Sequence, residues 1–261
     1  MDRKKVIEDF GKLLDIMDRL RAECPWDREQ TLDTLRTLTI EETYELSDAI
    51  LENDLHEISK ELGDLLLHIV FYAKIGEEKG AFDMDYVINR LCEKLIYRHP
   101  HVFGTIEADN SAEVIRNWEQ LKIKEKDGNK SVLSGVPSGL PALVKAYRVQ
   151  DKVRALGFDW EVREQVWDKV TEELGEFKAE WEKADADRME AEFGDVLFAL
   201  VNAARLYGIN PETALERTNR RFIDRFEYLE EKTIKQGRSL KDMTLGQMEE
   251  IWQEAKCRDK E

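Results

Sequence analysis

The sequence repeats itself at a single long offset. Glu41 to Ala49 reads EETYELSDA and Glu57 to Lys74 reads EISKELGDLLLHIVFYAK; with every position shifted by 131, Glu172 to Glu180 reads EELGEFKAE and Arg188 to Arg205 reads RMEAEFGDVLFALVNAAR. The apolar positions are copied too. Ile58, Leu62, Leu65, Leu66, Ile69, Val70 and Ala73 map onto Met189, Phe193, Val196, Leu197, Leu200, Val201 and Ala204. Their steps of four, three and one trace one stripe of an α-helix and cannot describe a strand. With small gaps the repeat extends further: Trp26 pairs with Trp160, Lys94 and Arg98 with Arg221 and Arg225, and Trp118 and Lys122 with Trp252 and Lys256. A period this long means a duplicated domain, not a solenoid.

The expected architecture is therefore all-α, two tandem helical bundles. A chain of 261 residues is long enough for two cores. Fourteen Gly and five Pro leave little material for a many-turned β fold. Four of the turn formers cluster in SVLSGVPSGLP, Ser131 to Pro141, after a charged run beginning at Lys122. These features place a first domain at 1–125, a linker at 126–141 and a second domain at 142–261. Pro141 suits the first turn of a helix reaching about Leu156, with Gly157 as its cap.

Charge and cysteine usage exclude several partners. A net charge of −16 repels nucleic acid and anionic membranes, so a polyanion can dock only at a local basic site or through a metal ion. No apolar run is long enough to span a bilayer. Cys24, Cys92 and Cys257 lie far apart and no secretory leader pattern precedes them. Neither disulfides nor structural zinc are expected, and a cytosolic location is.

Fifty-six acidic residues make an isolated Glu-x-x-Glu uninformative. What carries weight is a set of four, Glu42, Glu45, Glu61 and Asp64, recurring as Glu173, Glu176, Glu192 and Asp195 with every interval kept. At about 100° per residue, Glu173 sits roughly 40° from Phe177, on the apolar arc, with Glu176 just outside it. Glu192 and Asp195 flank the stripe of Phe193, Val196 and Leu197 in the same way. Such carboxylates face a helix-helix interface, where they repel one another and lose hydration unless a cation gathers them. All-oxygen ligands favour a hard ion, Mg²⁺ first and Mn²⁺ second. A di-iron bundle needs Glu-x-x-His on two helices, and the sequence has none. His68 follows Asp64 by one turn, but its copy is Ala199, so it reads as a core or interface histidine.

Basic residues add the case for a phosphate substrate. Lys94 with Arg98, and Arg221 with Arg225, are pairs one turn apart on one helical face. Lys169 precedes Glu173, and Arg188 precedes Glu192, by one turn, so both can reach the same pocket, although neutralising nearby acids explains them equally well. Trp118 and Trp252 offer flat faces for a base or fill a core.

These motifs, Glu-x-x-Glu, fifteen residues, Glu-x-x-Asp, then KLIYRHPHVFG or ERTNRRFIDRF, with CPWDREQT at the start and WQEAK at the end, resemble the MazG family of nucleoside triphosphate pyrophosphohydrolases. The likeness covers essentially the whole chain. It implies an all-α, dimeric, Mg²⁺-dependent enzyme that converts nucleoside triphosphates to monophosphates and pyrophosphate. It also implies metal ligands at Glu173, Glu176, Glu192 and Asp195, substrate contacts at Lys169, Arg188, Arg221, Arg225 and Trp252 with Lys256 beside them, and catalytic water handling by carboxylates of the quartet. In the first copy the ligands fall on Glu42, Glu45, Glu61 and Asp64, and the substrate contacts on Lys94, Arg98, Trp118 and Lys122. Tyr97 stands where members commonly carry Arg, and the first basic rim is thinner, so the second site is expected to be the better equipped. A rival of another class is a non-catalytic helical module that senses a nucleotide or docks a protein.

Overall fold

The computed structural model describes residues 1–105, 110, 113–114, 117–118, 121–122 and 131–258. The chain divides into two compact units, Met1–Glu107 and Ala108–Glu261. Among the described residues both are built of helices, with no strand. None of these helices is long and apolar enough to cross a membrane. The division precedes the expected linker, of which residues 126–130 lie outside the described residues, and it assigns Trp118 and Lys122 to the second unit.

In the first unit, α1 (Arg3–Glu23) starts on the side chain of Asp2, which accepts from the backbone N–H groups of Lys4 and Lys5. Pro25 ends that run and opens the short α2 (Pro25–Glu29). A reciprocal pair of hydrogen bonds between Thr31 and Thr34 caps α3 (Leu32–Glu52). Asn53 then turns into the left-handed region and Asp54 caps α4 (Leu55–Glu78), a two-residue reversal that makes α3 and α4 a tight antiparallel hairpin. Met17 of α1 packs against Leu35, Val70, Phe71 and Ile75 to form the core. Lys74 reinforces that contact at 2.6 Å from Asp18. After α4 come α5 (Met84–Arg98), against which it packs, and α6 (Pro100–Phe103).

The second unit repeats the hairpin. After α7 (Ala142–Arg154), α8 (Val166–Lys183) and α9 (Ala186–Leu206) are joined by Ala184 and Asp185, the copies of Asn53 and Asp54, with Ala184 likewise left-handed. Pro141 sits one residue before α7, and Gly157, at φ 92°, closes the turn after it. Gln150 donates to the Phe198 carbonyl, seating α7 on α9. The copy of Lys74 is Arg205, whose guanidinium pairs with Asp159 and Asn202. Two more helices follow, α10 (Pro211–Lys232) and α11 (Leu245–Arg258), packed on each other.

The repeated apolar stripe is only half interior in the single chain. Val70, Ala73, Val196 and Val201 are buried, whereas Leu62 is 53% exposed and Phe193 49%, with Leu66, Ile69, Leu197 and Leu200 also open. The stripe is wider than the face that each unit's own helices cover, and the same positions are left open in both copies.

Candidate metal and nucleotide site

The two-residue reversals set the register of each hairpin, and the register brings the acids together. Glu42 and Glu45 lie one turn apart on α3, Glu61 and Asp64 one turn apart on the antiparallel α4. Carboxylate oxygens of Glu42, Glu45 and Glu61 lie within 4.8 Å of one another. In the second hairpin Glu173, Glu176 and Glu192 do the same. Each trio has one deep member: Glu61 is 3% exposed and Glu173 7%. The fourth acid of each set, half-buried Asp64 or exposed Asp195, stands close enough to repel its neighbours.

Burial and mutual repulsion both act on these carboxylates. Burial, then the charges of Asp64, Glu45 and Glu61, raise the pKa of Glu42 above the ordinary glutamate value. Glu192 is raised likewise by burial and by Glu176, Asp195, Glu173 and Glu180. The residues fit a hard cation. An ion at about 2.1 Å from each oxygen holds its ligands within about 4.2 Å of one another, a small contraction from this arrangement. Glu61 Oε2 is also buried with no hydrogen-bond partner among the described residues, an acceptor open to a cation, to a donor from outside or to the protonated carboxyl of Glu42.

A lysine ammonium touches each deep carboxylate. Lys169 Nζ is 2.8 Å from Glu173 and 2.9 Å from Glu172. Lys60 Nζ is 2.9 Å from Glu61 and 3.2 Å from Glu57. Sequence reasoning singled out Lys169, one turn before Glu173, and passed over Lys60, although Lys60 likewise precedes Asp64 by one turn. The available signal was the missing charge at Leu38, the counterpart of Lys169. Glu180 was also missed. It follows Glu176 by one turn, is nine-tenths buried, and has Oε1 2.6 Å from Lys183 Nζ and 4.0 Å from Arg188, while Oε2 has no hydrogen-bond partner among the described residues. Its copy is Ala49.

The other expected contacts are placed less tightly. Arg188 is exposed and leans on Asp185 at 3.6 Å. On α10, exposed Arg221 donates to Thr218 one turn back, and Arg225 is half-buried. Trp252 of α11 meets Phe222 with ring centroids 5.0 Å apart, which carries it to the neighbour of Arg221; Lys256 is half-buried one turn further on. On α5, Lys94 is exposed and Arg98 half-buried. Lys122 Nζ lies 5.5 Å from the centroid of Trp118. Both belong to the second unit.

Beyond the acids the two hairpins differ. In the first, Thr39 and Tyr72 share a 2.7 Å hydrogen bond, and His68 is buried with Nδ1 lacking a hydrogen-bond partner among the described residues, burial lowering its pKa. The same positions of the second are Val170, Ala203 and Ala199, which with Val166 form an apolar cluster.

Comparison with known proteins agrees with this geometry. The family model for the MazG nucleotide pyrophosphohydrolase domain matches residues 30–103 and 163–229, each segment holding one quartet. The chain is 43% identical over 257 residues to a nucleoside triphosphate pyrophosphohydrolase of Escherichia coli, covering 96% of this chain and 98% of that protein. It is 43% identical over 253 residues to the nucleoside triphosphate pyrophosphohydrolase/pyrophosphatase MazG of Thermotoga maritima, covering 96% of both. It is 44% identical over 259 residues to an uncharacterized protein, YabN, of Bacillus subtilis, spanning 98% of this chain and 53% of that one.

Proposed function

Because the chain belongs to the MazG nucleotide pyrophosphohydrolase family, we propose that it hydrolyses nucleoside triphosphates to the monophosphate and pyrophosphate at its acidic hairpins. The observation that carries the reading is the twice-built trio of carboxylates within 4.8 Å, each with one member nearly out of solvent. Like charge and lost hydration oppose that gathering until a cation offsets them. Glu173, Glu176, Glu192 and Asp195, and in the first copy Glu42, Glu45, Glu61 and Asp64, would hold Mg²⁺, with Mn²⁺ as the second choice. When bound, such an ion neutralises phosphate charge and acidifies water.

The chain's own groups supply the rest. A carboxylate oxygen not engaged as a ligand, from Glu173 or Glu176 and from Glu42 or Glu45 in the first copy, orients a water and accepts its proton. The water oxygen bonds to the α-phosphorus in line as the bond from that phosphorus to the bridging oxygen of pyrophosphate breaks. Lys169, Arg188, Arg221 and Arg225 stabilise the charge on the departing group. Trp252 and Lys256 face the base and its surroundings, with Lys94, Arg98, Trp118 and Lys122 as the first copy's candidates. The uncovered stripes, Leu62 with Leu66 and Phe193 with Leu197, support a homodimer in which a second copy covers them. The reading puts the enzyme in the cytosol, where nucleoside triphosphates and magnesium meet.

The test is pyrophosphate release from a nucleoside triphosphate with Mg²⁺. Glu173→Gln and Glu176→Gln proteins, folded by circular dichroism, lose it. Retained turnover in both, with the matching first-copy variants also silent, refutes the reading. Binding without products supports a sensor instead.

A further inference from the structure

Resting on the reading just given, we propose that Lys60 is the triphosphate-binding cation of the first site, doing from α4 what Lys169 does from α8. The two lysines stand at unrelated positions of the repeat. Lys169 copies to Leu38 and Lys60 to Ala191, so each copy has one where the other has none. Yet their surroundings match. Each ammonium bridges the deepest carboxylate of its trio, at 2.9 Å for Glu61 and 2.8 Å for Glu173, and one acid outside the quartet, Glu57 or Glu172. Transferring the charge from one helix to the facing one keeps it at the same interface.

A solvent-exposed lysine beside a glutamate is ordinarily worth little. The pair with Glu61 differs because that carboxylate is nearly out of water and its second oxygen has no hydrogen-bond partner among the described residues. Its charge has to be compensated, and Lys60 does so from a side chain that is itself 57% exposed. A divalent ion would take the second oxygen of Glu61, Oε2, while Lys60 stays on Oε1 at the edge of the quartet with a remaining donor free to reach a phosphate oxygen. Glu57 stands where the second copy has Arg188, and Lys60 offsets its negative charge at the first site's rim.

The experiment uses the full chain with Glu173→Gln and Glu176→Gln, so that the first site is measured. Calorimetry follows Mn²⁺ alone, then α,β-imido adenosine triphosphate with Mn²⁺ present. Lys60→Ala is expected to weaken the analogue tenfold or more while Mn²⁺ alone binds as well or better. Lys60→Arg should keep most of the affinity, and adding Leu38→Lys to Lys60→Ala should recover it. Unchanged analogue affinity in Lys60→Ala overturns the inference, as does joint loss of Mn²⁺ and analogue, which marks a role in shaping the quartet. A parent that binds Mn²⁺ but no analogue overturns the inference alone. A parent that binds neither overturns the metal reading of the first site as well.

Discussion

The two hairpins hold the same four acids at the same spacings, reverse at the same two residues, and differ in much of what surrounds the acids. Lys169 and Arg188 stand in the second copy where the first has Leu38 and Glu57; Lys60 and His68 stand in the first where the second has Ala191 and Ala199. Against that background of exchange the retained acids are informative. A helix interface gains nothing by gathering carboxylates, and in both copies the gathering raises a glutamate pKa. On the proposed reading, what the copies share is the part a cation would need and what they do not share is the part that would grip the rest of a ligand, so the sites are expected to differ in strength more than in kind.

The sharpest way to break that comparison is to remove the same acid from each copy. Glu192→Gln is expected to lower pyrophosphate release about a hundredfold or more, on the scale of losing a metal or oxyanion contact. Glu61→Gln should cost the whole chain less, because the first rim has fewer cations. Steady-state release from ATP with Mg²⁺ checks both; a larger loss in Glu61→Gln would reverse the ranking of the sites.

The next effect is on stability and carries a sign. Glu42 and Glu192 have folded pKa values above the ordinary 4.5. The folded state therefore holds their protons more tightly than the unfolded one, and the advantage is present at low pH and lost as pH rises through the raised values. At neutral pH the ionised quartets work against the fold. In chelator, Glu192→Gln should raise the melting temperature by a few degrees at pH 7.5 and by less near pH 4. Mg²⁺ or Mn²⁺ should raise that of the native chain, and less that of the variant. A native chain that melts at the same temperature with and without either ion would remove the reason for gathering the acids.

Much of this was legible in the sequence, because helical periodicity and antiparallel pairing are local rules. The steps from Ile58 to Ala73 specify a helix, and the fifteen-residue gap from Glu45 to Glu61 specifies a hairpin that returns to the same level. What covers a helix face is not local. Leu62 and Phe193 satisfy the same periodicity as Val70 and Val201, and only the packing shows that the former pair stays open. Lys60 escaped although it precedes Asp64 by one turn, as Lys169 precedes Glu173; function can move between facing helices. Trp118 and Lys122 match Trp252 and Lys256 in sequence, and only the contacts put both pairs in one unit.

The reversals offer a smaller test of how alike the hairpins are. Asn53 and Ala184 both sit left-handed, near φ 55°. Asparagine tolerates that region, whereas a Cβ with no compensating polar group is strained there by about 1 kcal/mol. Ala184→Gly should stabilise the chain by roughly that amount, and Asn53→Ala should destabilise it similarly, measured by denaturant unfolding. Equal and negligible effects would mean that the turns relax freely and do not set the registers.

The smallest expected effect separates the interiors. Burial holds the His68 imidazole below its usual pKa of 6.5, against the pull of Asp64. The folded state resists protonation that the unfolded chain accepts, so the stability from a neutral His68 is full above the unfolded value and is lost as pH falls below it. Between pH 7.5 and 5.5 this lowers the melting temperature by a degree or two, against the opposite trend of the quartets. His68→Gln, which keeps a polar group beside Asp64 but cannot titrate, should remove that contribution. The reciprocal change, Ala199→His, puts an imidazole among Val166, Val170 and Ala203, where no hydroxyl pair like Thr39 and Tyr72 is available, and should introduce a steeper acid sensitivity at a larger loss of stability. If both variants follow the native pH profile, the polar interior of the first hairpin is not what distinguishes it, and the cations at its rim are left as the difference between the copies.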